Sequence, residues 1–283
     1  MNERNRNLAL RVASGLLLFP LLVWVTWVGG LAFALLLCVA AAVAAHELIA
    51  MFGEVEAPEV LGIAVAALLP LATWWSAAHY ARVYPATIPA LIAMATMALL
   101  AMNLFRSGPV ERAPHRAGIS ALAWVYCGLL VATVAGLRAR FGFAWVMLAF
   151  VVTWLNDTCA YFAGRFFGKT PFCPRVSPKK TWEGFAGGVA GSVLGALGTK
   201  AVFLFLAQPR GEQFLISWPE CILVSLGASV LGPVGDLVES MLKRAAGVKD
   251  SGTLIPGHGG LLDRIDALLF VAPWIYLWAN IAR

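Results

Sequence analysis

The sequence SMLKRAAGVKDSGTLIPGHGGLLDRID, residues 240–266, is a polar segment between two long apolar runs. It contains a Pro-Gly pair at 256–257 and a Gly-Gly pair at 259–260. Proline removes a backbone hydrogen-bond donor and glycine costs conformational entropy, so neither pair suits the interior of a helix. The segment is therefore predicted to contain a charged loop, shaped by glycine, between two apolar helices.

The apolar runs on both sides of this loop are typical of helices that cross a membrane. Of the 283 residues, 60% are hydrophobic and only 13% are charged, whereas soluble domains carry about 25% charged residues. A span needs about 20 apolar residues. We therefore predict an all-α, polytopic integral membrane bundle of about nine transmembrane helices. The predicted spans are residues 11–28, 30–51, 58–77, 85–105, 117–137, 142–164, 183–206, 217–238 and 261–281.

Lysine and arginine residues are distributed unequally between alternate loops. With the N-terminus in the cytoplasm, fifteen lie on the cytoplasmic side and five on the far side, and Lys200 alone falls inside a span. Positive residues accumulate in cytoplasmic loops, so this distribution predicts a cytoplasmic N-terminus. We divide the chain into a scaffold of about five spans, residues 1–140, and a catalytic region, residues 141–283, whose polar site faces the cytoplasm.

All five aspartates lie at or near the predicted cytoplasmic ends of three spans: Asp157, Asp236, Asp250, Asp263 and Asp266. Asp263 and Asp266 are three residues apart on the first turn of the last span. Two carboxylates that close repel each other unless a cation lies between them or one is protonated. Oxygen ligands favour magnesium, which takes a few carboxylates together with substrate phosphate oxygens. The pattern therefore predicts a magnesium site.

A second polar cluster precedes the seventh span. The Ser-Pro pair at 177–178, and Thr181 with Glu183, are signals for the start of a helix. That helix would present its positive end beside Lys179 and Lys180, and free N–H groups with two ammonium groups form an anion site for which phosphate is the expected guest. The alternative is that the paired lysines only enforce topology.

Carboxylates, basic clusters and a glycine-rich loop together favour phosphoryl or nucleotidyl transfer, in which catalysis is mostly positioning and charge neutralisation. A covalent acyl mechanism is poorly supported, because no serine or cysteine with a nearby histidine base stands out. His46 and Glu47 form a further polar pair deep in the second span. Either both side chains are satisfied by interhelical hydrogen bonds, or they form a wall of a polar cavity.

Four motifs carry a resemblance to a known family. They are Asn-Asp-Thr-x-Ala-Tyr from residue 156, Gly-Arg-x-x-Gly-Lys from 164, Ser-Pro-Lys-Lys-Thr-x-Glu-Gly from 177, and the segment 240–266 with its Lys-Arg, Lys-Asp, Pro-Gly-His-Gly-Gly and Asp-Arg-x-Asp elements. Together they resemble the phosphatidate cytidylyltransferases, the CDP-diacylglycerol synthases. The likeness is strong over about 156–266, whereas the first 140 residues agree only in being apolar spans.

The resemblance implies that CTP and phosphatidate react to give CDP-diacylglycerol and pyrophosphate, with Mg²⁺ as the divalent cation. It further implies that Asp236 and Asp263 are metal carboxylates, with Asp266 in or beside the same shell, and that a second cation shares them. The expected location is the bacterial cytoplasmic (inner) membrane. The expected partners are CTP, phosphatidate in the bilayer and a second copy of the chain in a homodimer, with no nucleic acid.

The remaining site residues are hypotheses about phosphate contacts. Catalytic roles are assigned to Lys243 and Arg264 alongside the three metal aspartates. The Gly257–Gly260 backbone is expected to approach the phosphates closely, and His258 is expected either to donate to a phosphate or to order the loop. The predicted substrate-binding residues are Asp157, Ser177, Lys179, Lys180, Thr181, Arg244, Lys249, Asp250, Gly257, His258, Gly259 and Gly260.

Two alternative functions stay open from the sequence. A membrane enzyme that uses CTP on another lipid, in the manner of a lipid kinase, would need similar residues. A secondary transporter is disfavoured, because the polar groups cluster at one face of the membrane and no inverted repeat is visible. The products separate the three: pyrophosphate indicates cytidylyl transfer, CDP indicates phosphoryl transfer, and neither indicates transport.

Overall fold

The computed structural model describes residues 3–79, 87–106, 109–206, 214–254 and 259–282. Long helices dominate these residues, which confirms the predicted all-α membrane bundle. The two short strands, β1 (Pro171–Cys173) and β2 (Ser177–Thr181), form an antiparallel hairpin. The helices are α1 (Glu3–Val28), α2 (Gly30–Phe52), α3 (Ala57–His79), α4 (Thr87–Leu104), α5 (Ala113–Ala123), α6 (Leu130–Phe141), α7 (Phe143–Phe167), α8 (Trp182–Phe205), α9 (Trp218–Ala245) and α10 (Leu262–Ala282).

Each predicted span coincides with a helical stretch of the described residues. A 3₁₀ turn, α5, a π-helical segment (Trp124–Leu129) and α6 together form one such stretch, Val110–Phe141. Seven stretches of the described chain are long and apolar enough to cross a membrane, and two shorter apolar segments, Gly15–Val28 and Leu91–Leu104, fall below that length. The count of nine spans and the cytoplasmic N-terminus therefore stay predictions.

The chain forms two compact units. The first comprises Met1–Ala139 with Asp250–Arg264, and the second comprises Arg140–Lys249 with Ile265–Arg283. Helix α10 thus begins in the first unit and continues in the second. The polar loop and Asp263 belong to the first unit, together with α2.

In the first unit, the C-terminal end of α1 is capped by an arginine side chain. Arg138 on α6 is buried, and its Nε and Nη2 donate to the carbonyl oxygens of Thr26 and Trp27 at 2.7 and 2.9 Å. Gly29 follows with a φ of +64°, and a Cβ there would lie 2.6 Å from the guanidinium. The last carbonyls of a helix lack partners within the helix, so this arginine stabilises the break between α1 and α2.

An ion-paired cluster links two loops of the same unit. Arg106 donates from Nη1 to Glu59 at 2.8 Å, and its Nη2 lies 2.7 Å from Glu56. Only 9% of the Arg106 side chain and 5% of that of Glu59 are exposed. Burial opposes the charged form of Arg106, but the hydrogen bonds and charges of the two glutamates outweigh it and raise the pKa of this arginine.

In the second unit, α7 and α8 approach closely along a glycine stripe. Gly187, Gly191 and Gly195 repeat at the spacing of one helical face. A Cβ at Gly191 would lie 2.4 Å from the carbonyl oxygen of Leu155, closer than real contacts allow. These small residues serve close helix packing, since only glycine lets the backbones meet at this distance.

The start of α8 corrects one prediction. Thr181 caps the helix by accepting from the Gly184 N–H at 3.1 Å, as predicted. Ser177 and Pro178, however, lie in β2, and Ser177 pairs with Cys173 of β1. Their predicted role as a helix start was wrong, because a residue before proline is pushed toward extended conformations and the hairpin supplies its backbone partner.

The polar segment is partly helical. Helix α9 continues through Ala245, and α10 begins at Leu262, so the loop itself comprises residues 246–261. Residues 255–258 of this loop lie outside the described part of the chain. The segment from Asp236 to Lys243 therefore lies within α9, and Asp263 lies on the first turn of α10.

Candidate active site

The second unit gathers aspartates from three helices near one lysine. Asp157 on α7, Asp236 on α9 and Asp266 on α10 are close enough for their charges to act on one another, and Lys180 of β2 acts on the same group. The Lys180 Nζ lies 2.6 Å from Asp236 Oδ2. Residues far apart in sequence are thus brought together, and the three carboxylates share a nearby ammonium group.

A close approach of α9 and α10 positions two of these carboxylates. A Cβ on Gly235 would lie 2.5 Å from the backbone carbonyl oxygen of Asp266. Glycine is required there, because any side chain would separate the helices. Asp236 follows directly in sequence, so the contact holds it beside Asp266.

The donor set suits a magnesium ion whose coordination a substrate phosphate can complete. Among the described residues, no three histidine, cysteine or acidic side chains enclose a metal site on their own. Mg²⁺ is commonly held by one or two carboxylates, with substrate phosphates completing its coordination. Like charges gathered at Asp157, Asp236 and Asp266 favour a cation between them. The chemistry of this cluster therefore fits a magnesium ion carried in with phosphate groups.

Two contacts along α9 link polar side chains of the same helical face. Ser240 Oγ donates to Asp236 Oδ1 at 3.3 Å, and Lys243 forms an ion pair with Glu239, one turn earlier. Glu239 is fully buried, and 12% of the Lys243 side chain is exposed. Glu239 is not among the site residues predicted from the sequence, although its spacing with Asp236 and Lys243 on one helical face pointed to it.

The hairpin that carries Lys180 is tied to α8 by a carboxylate. Glu183 accepts from the backbone N–H groups of Lys169 and Thr170 at 3.1 and 3.2 Å, and from the Thr170 hydroxyl at 3.0 Å. The loop before β1 is thereby held against the first turn of α8. This anchoring fixes the approach of β2, and with it the side chain of Lys180.

In the first unit, the polar loop folds around Asp263. Its Oδ2 accepts from the backbone N–H of Ser251 and of Gly260, both at 2.9 Å, and lies 3.0 Å from the Ser251 hydroxyl oxygen. Gly259 has a φ of +82°, and a Cβ there would lie 2.9 Å from the same oxygen. The Gly260 N–H is thus engaged by Asp263, and a phosphate contact from this backbone stays a prediction.

Glu47 of α2 reaches the same loop. Only 6% of Glu47 is exposed, and its carboxylate accepts from Ser251 Oγ at 3.0 Å, from Leu261 N at 2.9 Å and from Leu262 N at 2.8 Å. Of the two interpretations left open by the sequence, hydrogen bonding is the one observed for Glu47. Its partners are the loop and the start of α10, which the sequence did not indicate. An ionisable residue within a membrane span was the available signal.

The comparison with known proteins covers nearly the whole chain. A sequence model described as the cytidylyltransferase family matches residues 9–282. The chain belongs to this cytidylyltransferase family. The match includes both units, so membership rests on α2 and its neighbours as well as on the polar segment of the C-terminal half.

Individual relatives agree with the family. A phosphatidate cytidylyltransferase of Bacillus subtilis (strain 168) is 34% identical over 272 residues, which cover 94% of this chain and 95% of the relative. One from Brucella suis is 34% identical over 280 residues, covering 97% and 94%. One from Staphylococcus haemolyticus is 45% identical over 132 residues, 47% of each chain. This member of the cytidylyltransferase family is therefore an integral membrane enzyme.

The predicted basic residues of the cytidylyltransferase lie mostly at exposed positions. Lys179, Lys249 and Arg264 are exposed, and Arg244 donates to the Val248 carbonyl oxygen at 3.0 Å beyond the end of α9. These positions leave the long side chains accessible from solvent, as binding of a soluble nucleotide requires. Their contacts with phosphate stay predictions.

The other predicted site residues differ in exposure and in contacts. Ser177 is half-buried on β2, the Thr181 hydroxyl is occupied as the cap of α8, and Asp250 is exposed. Gly257 and His258 lie outside the described residues. Within its second unit the enzyme thus brings together Asp157, Lys180, Asp236 and Asp266, and the first unit holds Asp263 with Gly259 and Gly260.

Proposed function

We propose that this enzyme transfers the cytidylyl group of CTP to phosphatidate, which gives CDP-diacylglycerol and pyrophosphate. The observation that carries the proposal is the cluster of Asp157, Asp236 and Asp266 around Lys180, in a chain that matches relatives named phosphatidate cytidylyltransferase along 94–97% of its length. Carboxylates with a nearby ammonium group suit a reaction in which charge neutralisation supplies most of the catalysis.

The proposed reaction is an in-line displacement at phosphorus. An oxygen of the phosphatidate phosphate forms a bond to the α-phosphorus of CTP, and the bond from that phosphorus to the α,β-bridging oxygen breaks, so that pyrophosphate leaves with the electron pair. A phosphate monoester is already largely ionised near neutral pH, so the attacking oxygen needs no strong base. The chain's task is to align two anionic substrates and offset their repulsion.

Magnesium, when bound, neutralises charge on the phosphate oxygens. We propose Asp236 and Asp266 as its ligands, because Gly235 brings their helices together and a cation would relieve their repulsion. Asp263 stays the third proposed ligand, on the strength of its place in the motif, and a second cation is proposed to share these carboxylates. Asp157 is proposed to form a wall of the same polar site.

The basic residues are proposed to hold the phosphates. Lys180 already lies among the carboxylates and would contact a phosphate bound there. Lys243 and Arg264 are proposed to act on the reacting groups. The proposed triphosphate and headgroup contacts are Arg244, Lys249, Lys179, Ser177 and Thr181, together with Asp250, His258 and the backbone of Gly257, Gly259 and Gly260.

The test uses purified protein in detergent with phosphatidate, Mg²⁺ and CTP labelled at the α-phosphate. We expect label in the lipid fraction and pyrophosphate in water, both abolished by EDTA. Asp236→Asn should lose this activity, whereas Glu54→Gln, at an exposed carboxylate after α2, should keep it. If the label were recovered in water as CDP, the enzyme would be a lipid kinase. If CTP stayed intact while the protein was folded, the transporter hypothesis would be the next to test.

The proposed location is the bacterial cytoplasmic membrane, with the site facing the cytoplasm. It is supported by the unequal distribution of lysine and arginine between loops and by the bacterial relatives. An odd number of spans places the C-terminus outside, so alkaline phosphatase fused there should be active. A homodimer is also proposed, and the mass of the protein in detergent, corrected for bound detergent, tests it.

A further inference from the structure

We propose that Glu47, in the second helix, is a positioning residue for the site: it clamps the polar loop at two places and thereby sets the orientation of Asp263. These two places are Ser251, within the loop, and Leu261 with Leu262, where α10 begins. The loop contact is independent of the reaction, and the catalytic consequence rests on the proposed function.

The hydrogen bonds define the clamp. Glu47 Oε2 accepts from Ser251 Oγ at 3.0 Å and from Leu262 N at 2.8 Å, and Oε1 accepts from Leu261 N at 2.9 Å. The first N–H groups of a helix have no partner within the helix. A carboxylate at that position therefore satisfies them and interacts favourably with the helix dipole. Glu47 thus accepts a hydrogen bond from the first residue of α10, although the two residues are 215 positions apart in sequence.

Ser251 connects the clamp to Asp263. Its hydroxyl oxygen lies 3.0 Å from Glu47 Oε2 and 3.0 Å from Asp263 Oδ2, and its backbone N–H donates to Asp263 Oδ2 at 2.9 Å. A hydroxyl carries one proton, so it donates to one carboxylate at a time. The two carboxylates share a single small side chain, and a shift of Glu47 is transmitted to the group that holds Asp263.

Two loop glycines leave room for this arrangement. A Cβ on Gly252 would lie 2.6 Å from Glu47 Oε1, and one on Gly260 would lie 2.0 Å from Ser251 Oγ and 2.6 Å from Glu47 Oε2. No real Cβ approaches that closely, so any other residue would displace the Glu47 carboxylate. The glycines of the polar segment thus accommodate a buried acid from a distant helix.

The first experiment follows hydrogen exchange without CTP or metal. In Glu47→Gln the side chain keeps its size but turns an amide toward backbone donors. We expect the peptide covering residues 259–262 to exchange about 10- to 100-fold faster, the range for losing hydrogen bonds to a charged acceptor. A peptide from α7 should not change, and Glu54→Gln, the same substitution at an exposed site, should match the wild type.

The second experiment separates positioning from stability. Ser251→Ala keeps the backbone contacts and removes only the hydroxyl. We expect its kcat to fall about 10-fold, its Mg²⁺ half-saturation to rise, and its KM for phosphatidate to stay within twofold, with unchanged exchange at Leu261 and Leu262. The double variant with Glu47→Gln should lose less than the product of the two single effects, because both act through one contact.

Several outcomes would overturn the inference. Unchanged exchange at residues 259–262 in Glu47→Gln removes the clamp. Equal acceleration in α7 shows general destabilisation instead. Independent losses in the double variant, or a kcat that follows only the folded fraction, remove the link to Asp263. If the wild type labels no lipid, the proposed function fails, while the exchange measurement still decides whether Glu47 holds the loop.

Discussion

Replacing Lys180 by methionine tests whether an ammonium group and a metal ion compete for the same carboxylate. In the structure the Lys180 Nζ lies 2.6 Å from Asp236 Oδ2, and it also acts on Asp157 and Asp266. If Asp236 is a magnesium ligand, the metal must weaken or displace this ion pair. Lys180→Met should therefore bind Mg²⁺ more tightly and, because a proposed phosphate contact is lost, turn over more slowly.

The ion-pair geometry sets the size of the effect. Two unit charges 2.6 Å apart attract by about 6 kcal/mol at an effective dielectric constant of about 20. The side chains of Lys180 and Asp236 are 25% and 36% exposed, so lost hydration and side-chain ordering offset most of that attraction. A net value of about 1–2 kcal/mol remains. Removing the competing ammonium group should then tighten Mg²⁺ binding about 5- to 30-fold.

The assay is a thermal-unfolding titration with Mg²⁺ in detergent, without CTP, starting from EDTA-treated protein. Specific binding to the folded state raises Tm with ligand concentration. The Mg²⁺ Kd fitted from this rise should be lower for Lys180→Met than for the wild type. Lys169→Met, which removes an exposed lysine of the preceding loop, should leave this Kd unchanged. A Kd in Lys180→Met equal to or above the wild-type value would refute competition at Asp236.

Three further predictions concern other contacts of the structure. Arg106→Met should lower the free energy of unfolding by about 3–5 kcal/mol, because Glu59 stays buried without its partner; thermal unfolding measures this, and the Glu59→Gln background should abolish most of the loss. Asp263→Asn should abolish turnover while the protein still inserts in the membrane, and normal labelling of lipid by this variant would remove its metal assignment. Gly191→Ala should lower Tm, because its methyl group would meet the Leu155 carbonyl oxygen at 2.4 Å, and an unchanged Tm would show that α7 and α8 can separate without cost.

The fold class could be predicted because a membrane helix is indicated by a continuous local run of apolar residues. Every apolar run of about 20 residues became a helix, since the bilayer core offers no other partner for backbone N–H and C=O groups. The cap at Thr181 and the glycine stripe at Gly191 were equally local signals. The hairpin at Ser177–Thr181 was not predicted, because a Ser-Pro pair is compatible with both a strand and a helix start, and only pairing with β1 decides between them.

The sequence indicated which residue types the candidate site contains, but not which side chains contact one another. Clustering of aspartates at the helix ends identified Asp157, Asp236 and Asp266, which the structure brings together. The partner of each charged group depends on contacts distant in sequence, and no spacing rule relates Lys180 to Asp236 or Glu47 to Leu262. Pairing across 56 and 215 residues is decided by tertiary packing, which the sequence pattern does not encode locally.

The glycines of the polar segment show what residue type alone does not reveal. Glycine permits close approach of the backbone to any group, and phosphate was the expected one. In the structure, Gly252 and Gly260 leave space for the Glu47 carboxylate, and Gly259 leaves space for Asp263. The structure thus adds an acid of the N-terminal region, Glu47, as a neighbour of these glycines, and the contact of Gly259 and Gly260 with phosphate stays a prediction.

That dependence changes how the N-terminal spans contribute to the enzyme. Without Glu47, the N–H groups of Leu261 and Leu262 and the Ser251 hydroxyl would need other acceptors at a site where Ser251 and Leu262 are buried from solvent. Unpaired buried donors are costly, so the observed loop conformation depends on α2 as much as on its own sequence. Within the first unit, the side chain that holds the polar loop is therefore supplied by the second helix of the chain.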